Sequence, residues 1–167
     1  MGKNFRGSAS SEHPSDVSGA RLGIACARWN DAITSRLLRG ATERAAELGV
    51  VADDLDVAWV PGAFELPLVA QAMAQTGRYD AVVALGCVIR GDTAHFEYVA
   101  GPASTGIMDA QLATGVPIIL GVLTTENRRQ ALVRSVVDDD VVGDNKGAEA
   151  VDTALEMVAL LRSINAG

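Results

Sequence analysis

Four stretches of the chain are apolar with few breaks, and between them apolar residues recur at helical spacing. Residues 21–27 (RLGIACA), 55–60 (LDVAWV), 81–89 (AVVALGCVI) and 116–123 (VPIILGVL) predict strands. The third is apolar throughout, as a strand covered on both faces should be. Ile33, Leu37, Leu38, Ala41, Ala45 and Leu48 repeat three and four apart, which predicts a helix ended by Gly49. Further helices are predicted over residues 64–76, 95–114, 126–137 and 146–163. Pro67 is acceptable in the helix over residues 64–76 because it falls in the first turn. Strands alternating with helices over such short connections predict an α/β fold, a three-layer α/β/α sandwich around a four-stranded parallel sheet. Residues 1–19 are polar, with Gly, Ser and Pro, and read as a flexible arm before a single domain over residues 20–167.

In open parallel sheets, ligands sit beyond the carboxyl ends of the strands. The residues following each predicted strand therefore belong to one crevice: Arg28, Trp29 and Asn30; Pro61 through Glu65; Arg90, Gly91, Asp92 and Thr93 with His95; and Thr124 through Asn127. The third group carries the most chemistry. An apolar run stops at a tight polar turn, and a helix begins with the only histidine outside the N-terminal arm. A helix N-terminus with free amides, a nearby hydroxyl and an arginine is a ready anion site, and a histidine beside it can move protons. Gly91 suits a sharp turn or a close backbone approach, Asp92 suits an N-cap, and Thr93 suits a second cap or a phosphate donor. Trp29, flanked by polar residues, fits either a stack on a planar heterocycle or a packing cap over the sheet. Trp59, inside an apolar run, reads as a core tryptophan. Glu65 suits a helix dipole or a polyol ligand. Arg134 reads as a solvated arginine unless a site recruits it. Lys146 sits at a helix start, where its charge opposes the dipole.

Composition narrows the partners. The residues are 49% hydrophobic but only 4% aromatic, so the core must be mostly aliphatic. The net charge is −7, with no basic run, which argues against nucleic acid and anionic membrane. An anionic substrate would need local cations, for which Arg90, Arg134 and Lys146 are the candidates. Cys26 and Cys87 fall in predicted strands and read as buried thiols of a reducing cytoplasm. No Cys/His cluster suggests a metal. No secretory leader or membrane-length apolar run is expected, so the tripeptide Arg90-Gly91-Asp92 reads as a turn rather than an adhesion signal.

Taken in order, ARWN (27–30), VPGAFELP (60–67), LGCVIRGDTAHFEYV (85–99), GVLTTEN (121–127) and NKGAEA (145–150) resemble the 6,7-dimethyl-8-ribityllumazine synthase family over nearly all of residues 21–164. The resemblance implies a flavodoxin-like version of the predicted sandwich. It implies condensation of 5-amino-6-(D-ribitylamino)uracil with 3,4-dihydroxy-2-butanone 4-phosphate, releasing phosphate and water, the penultimate step of riboflavin biosynthesis. No metal or organic cofactor is implied. Carried over by motif, Trp29 stacks on the uracil, Ala63, Phe64 and Glu65 meet the ribityl chain, and Cys87, Val88 and Ile89 meet the pyrimidine edge. Gly91, Asp92 and Thr93 with Arg134 hold phosphate, His95 is the general acid/base, and Lys146 lies near the site. Leu120 stands where many members have an aromatic beside the uracil. The family's sites lie between subunits of a homo-oligomer. Residues 135–144 (SVVDDDVVGD) are longer and more acidic than the turn at which capsid-forming members join, so a pentamer is expected rather than a sixty-subunit shell.

Three rivals share parts of this pattern. A non-catalytic flavin- or phosphate-binding module would carry a Ser/Thr/Gly-rich loop after the first strand, where this chain has Arg28-Trp29-Asn30-Asp31. A purely structural shell protein would not need His95, Glu65 and Arg134 together. A riboflavin synthase of the archaeal type would act on the lumazine itself, and HFEYV and NKGAEA favour the lumazine-forming enzyme.

Overall fold

The computed structural model describes residues 17–137 and 142–167. Most of the expected N-terminal arm, and Asp138, Asp139 and Asp140 of the acidic stretch, lie outside the described residues. The strands are β1 (Leu22–Ala27), β2 (Leu55–Val60), β3 (Ala81–Ile89) and β4 (Ile118–Thr125). They form one sheet in the order β2-β1-β3-β4, every pair parallel. The helices are α1 (Asp31–Glu47), α2 (Leu66–Gln75), α3 (His95–Thr114), the five-residue α4 (Arg128–Leu132) and α5 (Lys146–Ala166).

Period-two alternation sorts the strand side chains into two cores. Leu22, Ile24 and Cys26 of β1, with Val83, Leu85 and Cys87 of β3, pack against α1 and α5. Ala25 and Ala27, with Val82, Ala84 and Val88, pack against α2 and α3. All of β1 is buried, because it has a strand on either side and a helix layer on each face. The α1/α5 layer is packed down to backbone contact. A Cβ on Gly147 would lie 2.0 Å from the Leu37 carbonyl oxygen, so only glycine lets α5 sit this close to α1. Among the described residues no helix is long and apolar enough to cross a membrane.

Four expectations change. β4 starts at Ile118 rather than 116: Pro117 has no N–H to give, its carbonyl accepts the Val82 N–H at 2.8 Å, and the Ile118 N–H goes to Gln111 Oε1 at 3.0 Å. α2 starts at Leu66, after a single 3-10 turn over Ala63–Glu65. The helix expected over 126–137 stops at Leu132. The chain turns there, Ser135 Oγ bonds back to the Ala131 carbonyl at 3.1 Å, and Ser135 bridges antiparallel to Asn145. Trp59 is not a core residue; β2 is an edge strand and the indole is 40% exposed.

Candidate active site

Asn30 joins three strand ends at one corner. It is the one non-glycine residue with positive φ (62°) among the described residues, a conformation that Asn tolerates better than most. Its carbonyl accepts the Ile33 and Thr34 N–H groups at 2.7 and 3.0 Å and so starts α1, while its Nδ2 donates to the Cys87 carbonyl at 2.8 Å. The exit of β1 is thereby tied to β3. It is tied to β2 by Arg28 N–H to Val60 carbonyl (2.9 Å) and Trp29 N–H to Pro61 carbonyl (3.1 Å). These bonds carry the parallel pairing just past both strands, and Trp29 is left 73% exposed.

Glu65 meets Trp29 across Gly62. The Gly62 N–H donates to Glu65 Oε2 at 2.9 Å, and a Cβ on Gly62 would be 3.2 Å from that oxygen and 3.6 Å from Trp29 Cδ1. An aromatic face and a carboxylate thus flank one backbone patch. Ala63 is buried beneath it and Phe64 is 58% exposed beside it. From β3, Cys87 and Val88 are buried and Ile89 is half-buried. Burial pushes the Cys87 thiol up to about 11 and the Cys26 thiol up to about 12, the latter against a small opposing effect of its hydrogen bond to Thr34. Both stay protonated near neutral pH, so Cys87 offers backbone rather than a nucleophile.

The turn after β3 is open. Gly91, Asp92, Thr93 and His95 are all exposed. Ala94, not Asp92, takes the N-cap position of α3, and no side chain caps that helix. The His95 N–H reaches Thr93 Oγ1 only at 3.4 Å. Asn127 and Asn145, by contrast, cap α4 and α5 with their side chains. The positive end of a 20-residue helix therefore faces solvent beside the corner built by Asn30.

Arg90 is not the open cation that its sequence position suggests. Its Nε lies 2.8 Å from Glu126 Oε2, Nη1 bonds Glu97 Oε1, and the guanidinium stacks 4.2 Å from the centre of the Phe96 ring. The hydrogen bond to Glu97 raises the guanidinium above its ordinary value and, in return, holds the Glu97 carboxyl below the usual carboxylate range.

Leu120, Arg134 and Lys146 lie elsewhere, along an open groove of about 930 Å³ on the free edge of β4 between α3 and α5. Leu120 is mid-strand opposite Ala84 and 50% exposed, about 16 Å of strand short of Thr125. Arg134 Nη1 donates to the Gln130 carbonyl at 2.9 Å. Lys146 Nζ sits 2.9 Å from both Asp144 Oδ2 and Glu149 Oε2; burial works to lower its value, but the hydrogen bonds and negative charges of the two carboxylates together raise it. Its misfit with the α5 dipole is thus offset locally. None of Trp29, Glu65, Cys87 or His95 lines this groove. One chain gathers eleven of the expected site residues around the ends of β1, β2 and β3, whereas Leu120, Arg134 and Lys146 line the groove that follows β4 as far as Thr124 and Thr125.

Sequence reasoning sets Asn30 in the crevice without a task, and it passes over Asn145, whose two cap bonds hold the first turn of α5. Asn145 has a readable signal, an Asn directly before the helix pattern that begins at Lys146. Asn30 has none, because a carbonyl partner 57 residues away leaves no local mark.

The sequence model of the 6,7-dimethyl-8-ribityllumazine synthase family matches residues 19–162. The 6,7-dimethyl-8-ribityllumazine synthase of Yersinia pestis (strain Pestoides F) is 52% identical over 146 residues, covering 87% of this chain and 91% of its own. The protein of the same name from Yersinia pseudotuberculosis serotype O:1b (strain IP 31758) matches to the same extent. Five motifs in one order, a parallel four-stranded sandwich and these relatives agree: the chain belongs to the 6,7-dimethyl-8-ribityllumazine synthase family.

Proposed function

We propose that this chain condenses 5-amino-6-(D-ribitylamino)uracil with 3,4-dihydroxy-2-butanone 4-phosphate to 6,7-dimethyl-8-ribityllumazine. The observation that carries the reading is the corner at the strand ends. There an exposed indole and the Glu65 carboxylate flank Gly62, next to an uncapped helix N-terminus that starts at His95. Trp29 stacks on the uracil, and Ala63, Phe64 and Glu65 meet the ribityl chain. The backbone of Cys87, Val88 and Ile89 meets the pyrimidine edge. Gly91, Asp92 and Thr93 cradle the phosphate with the first turn of α3.

The 5-amino group attacks the ketone to give a carbinolamine, which loses water to form an imine. His95 moves protons in these steps and in the loss of phosphate. Phosphate leaves easily when its charge is held, the task of the helix N-terminus and Arg134. Ring closure and a second dehydration complete the product. Amine–ketone condensation needs no exotic group, so much of the acceleration comes from holding two substrates together.

Leu120 and Arg134 line the groove beside β4 while Trp29, Glu65 and His95 do not, which supports a site shared between copies. In this reading the groove of one subunit supplies Arg134 and Leu120 to the corner of the next, and Lys146 steadies the groove. Leu120 offers less stacking than an aromatic there, leaving more of the ring contact to Trp29. Exposed Trp29, Phe64, Leu68, Tyr98 and Leu112 are the apolar surface such an assembly would cover. We favour a pentamer. Sedimentation should give a particle of about five 17.3 kDa chains; a sixty-subunit mass would sink this assignment. The unpaired, buried cysteines fit the cytoplasm.

The direct test mixes the purified chain with both substrates and follows the fluorescent lumazine. Product formed faster than in the uncatalysed mixture is expected. A rate equal to background would overturn the assignment.

A further inference from the structure

Arg90 occupies the turn that an anion would approach, yet its guanidinium is committed to two carboxylates. Its backbone N–H donates to the Thr125 carbonyl at 2.8 Å, and its side chain bonds Glu126 and Glu97 while stacking on Phe96. The residue therefore links three things: the end of β3, the exit of β4 and the first turn of α3. Glu97 lies in that first turn, where a carboxylate competes with any incoming anion for the positive helix end. Glu126, which follows β4, is held against Arg90 across the strand ends, and the exposed Asp92 is two residues along the chain, in a protein of net charge −7. Without Arg90 the carboxylates of Glu97 and Glu126 would lose this neutralising partner at the mouth of the anion site.

We propose that Arg90 is a positioning residue that neutralises Glu97 and Glu126 and pins the first turn of α3, keeping the phosphate cradle open to a phosphorylated substrate. This rests on the strand-end reading of the phosphate site. Arg90 does not bind the phosphate itself. Arginine suits the task better than lysine, because its planar fork serves two carboxylates while its face stacks on a ring.

The test compares the wild-type chain with Arg90→Ala, Arg90→Lys and Arg90→Ala/Glu97→Gln/Glu126→Gln, each checked for folding by circular dichroism. For Arg90→Ala, KM for the butanone phosphate should rise on the order of tenfold while KM for the uracil substrate moves less than about twofold. The triple variant should regain most of that loss, Arg90→Lys should fall between, and added salt should narrow the gap between Arg90→Ala and wild type. A purely structural role predicts no rescue by removing the two acids and no response to salt. A folded triple variant no better than Arg90→Ala, or a matching rise in both KM values, would overturn the proposal. Inorganic phosphate separates this idea from the assigned reaction. Calorimetry should show weaker phosphate binding to Arg90→Ala than to wild type whether or not product forms, and equal binding would refute it.

Discussion

Asn145→Ala should destabilise the fold by about 3 kcal/mol, near the top of what one polar substitution does. Four hydrogen bonds meet at this carboxamide. Its Oδ1 accepts from Gly147 N–H (2.9 Å) and Ala148 N–H (3.1 Å), capping α5. Its Nδ2 donates to the carbonyls of Arg36 (3.0 Å) in α1 and Val136 (2.9 Å) in the returning loop. Alanine leaves two amides and two carbonyls without these partners in a part-buried place. The same carboxamide fills the space above Gly40, where an added Cβ would lie 2.3 Å from Asn145 Cγ. Gly40→Ala should therefore be costly alone and much less so in the Asn145→Ala background. Urea denaturation of the two single variants and the double variant checks both claims, and strict additivity would refute the packing account. Activity should suffer as well. The Lys146 N–H donates to the Arg134 carbonyl at 2.9 Å, so the segment that carries Arg134 is held by the first turn of α5.

The same residue shows where sequence reading reaches and where it stops. β1 and β3 are legible because burial on both faces demands unbroken apolar runs, and α1 is legible because one buried stripe repeats every three or four residues. The strand-end crevice follows from topology, which is why the order of strands and helices alone suffices to group Trp29, Glu65 and His95. The short length of α4 is hidden because Leu132, Val133, Val136 and Val137 keep a helical rhythm, while a bridge between Ser135 and Asn145, ten residues on, overrides it. Trp59 passes for a core residue because hydrophobicity marks the strand but not whether it lies at an edge. Arg90 passes for a free cation because its acidic partners sit 7 and 36 residues away, on different elements.

His95→Ala should lower kcat by about 10–10²-fold, at or below the foot of the usual range for a positioned general acid/base, with both KM values nearly unchanged. Two features set that modest size. In the single chain His95 is exposed in the first turn of α3, and water held there beneath the neighbouring subunit would carry part of the proton traffic when the imidazole is gone. The larger share of the acceleration comes from juxtaposing amine and ketone, which the substitution leaves intact. Arg90 and His95 are thus expected to fail differently: the first variant loses grip on the phosphorylated substrate and recovers with salt, the second loses turnover and does not. Single-turnover kinetics at saturating substrates measure the chemical step directly. Activity abolished in His95→Ala, with both substrates still bound normally, would mean that proton transfer rather than proximity dominates. The strand-end corner would then be a catalytic centre built around one imidazole instead of a vessel for two reactants.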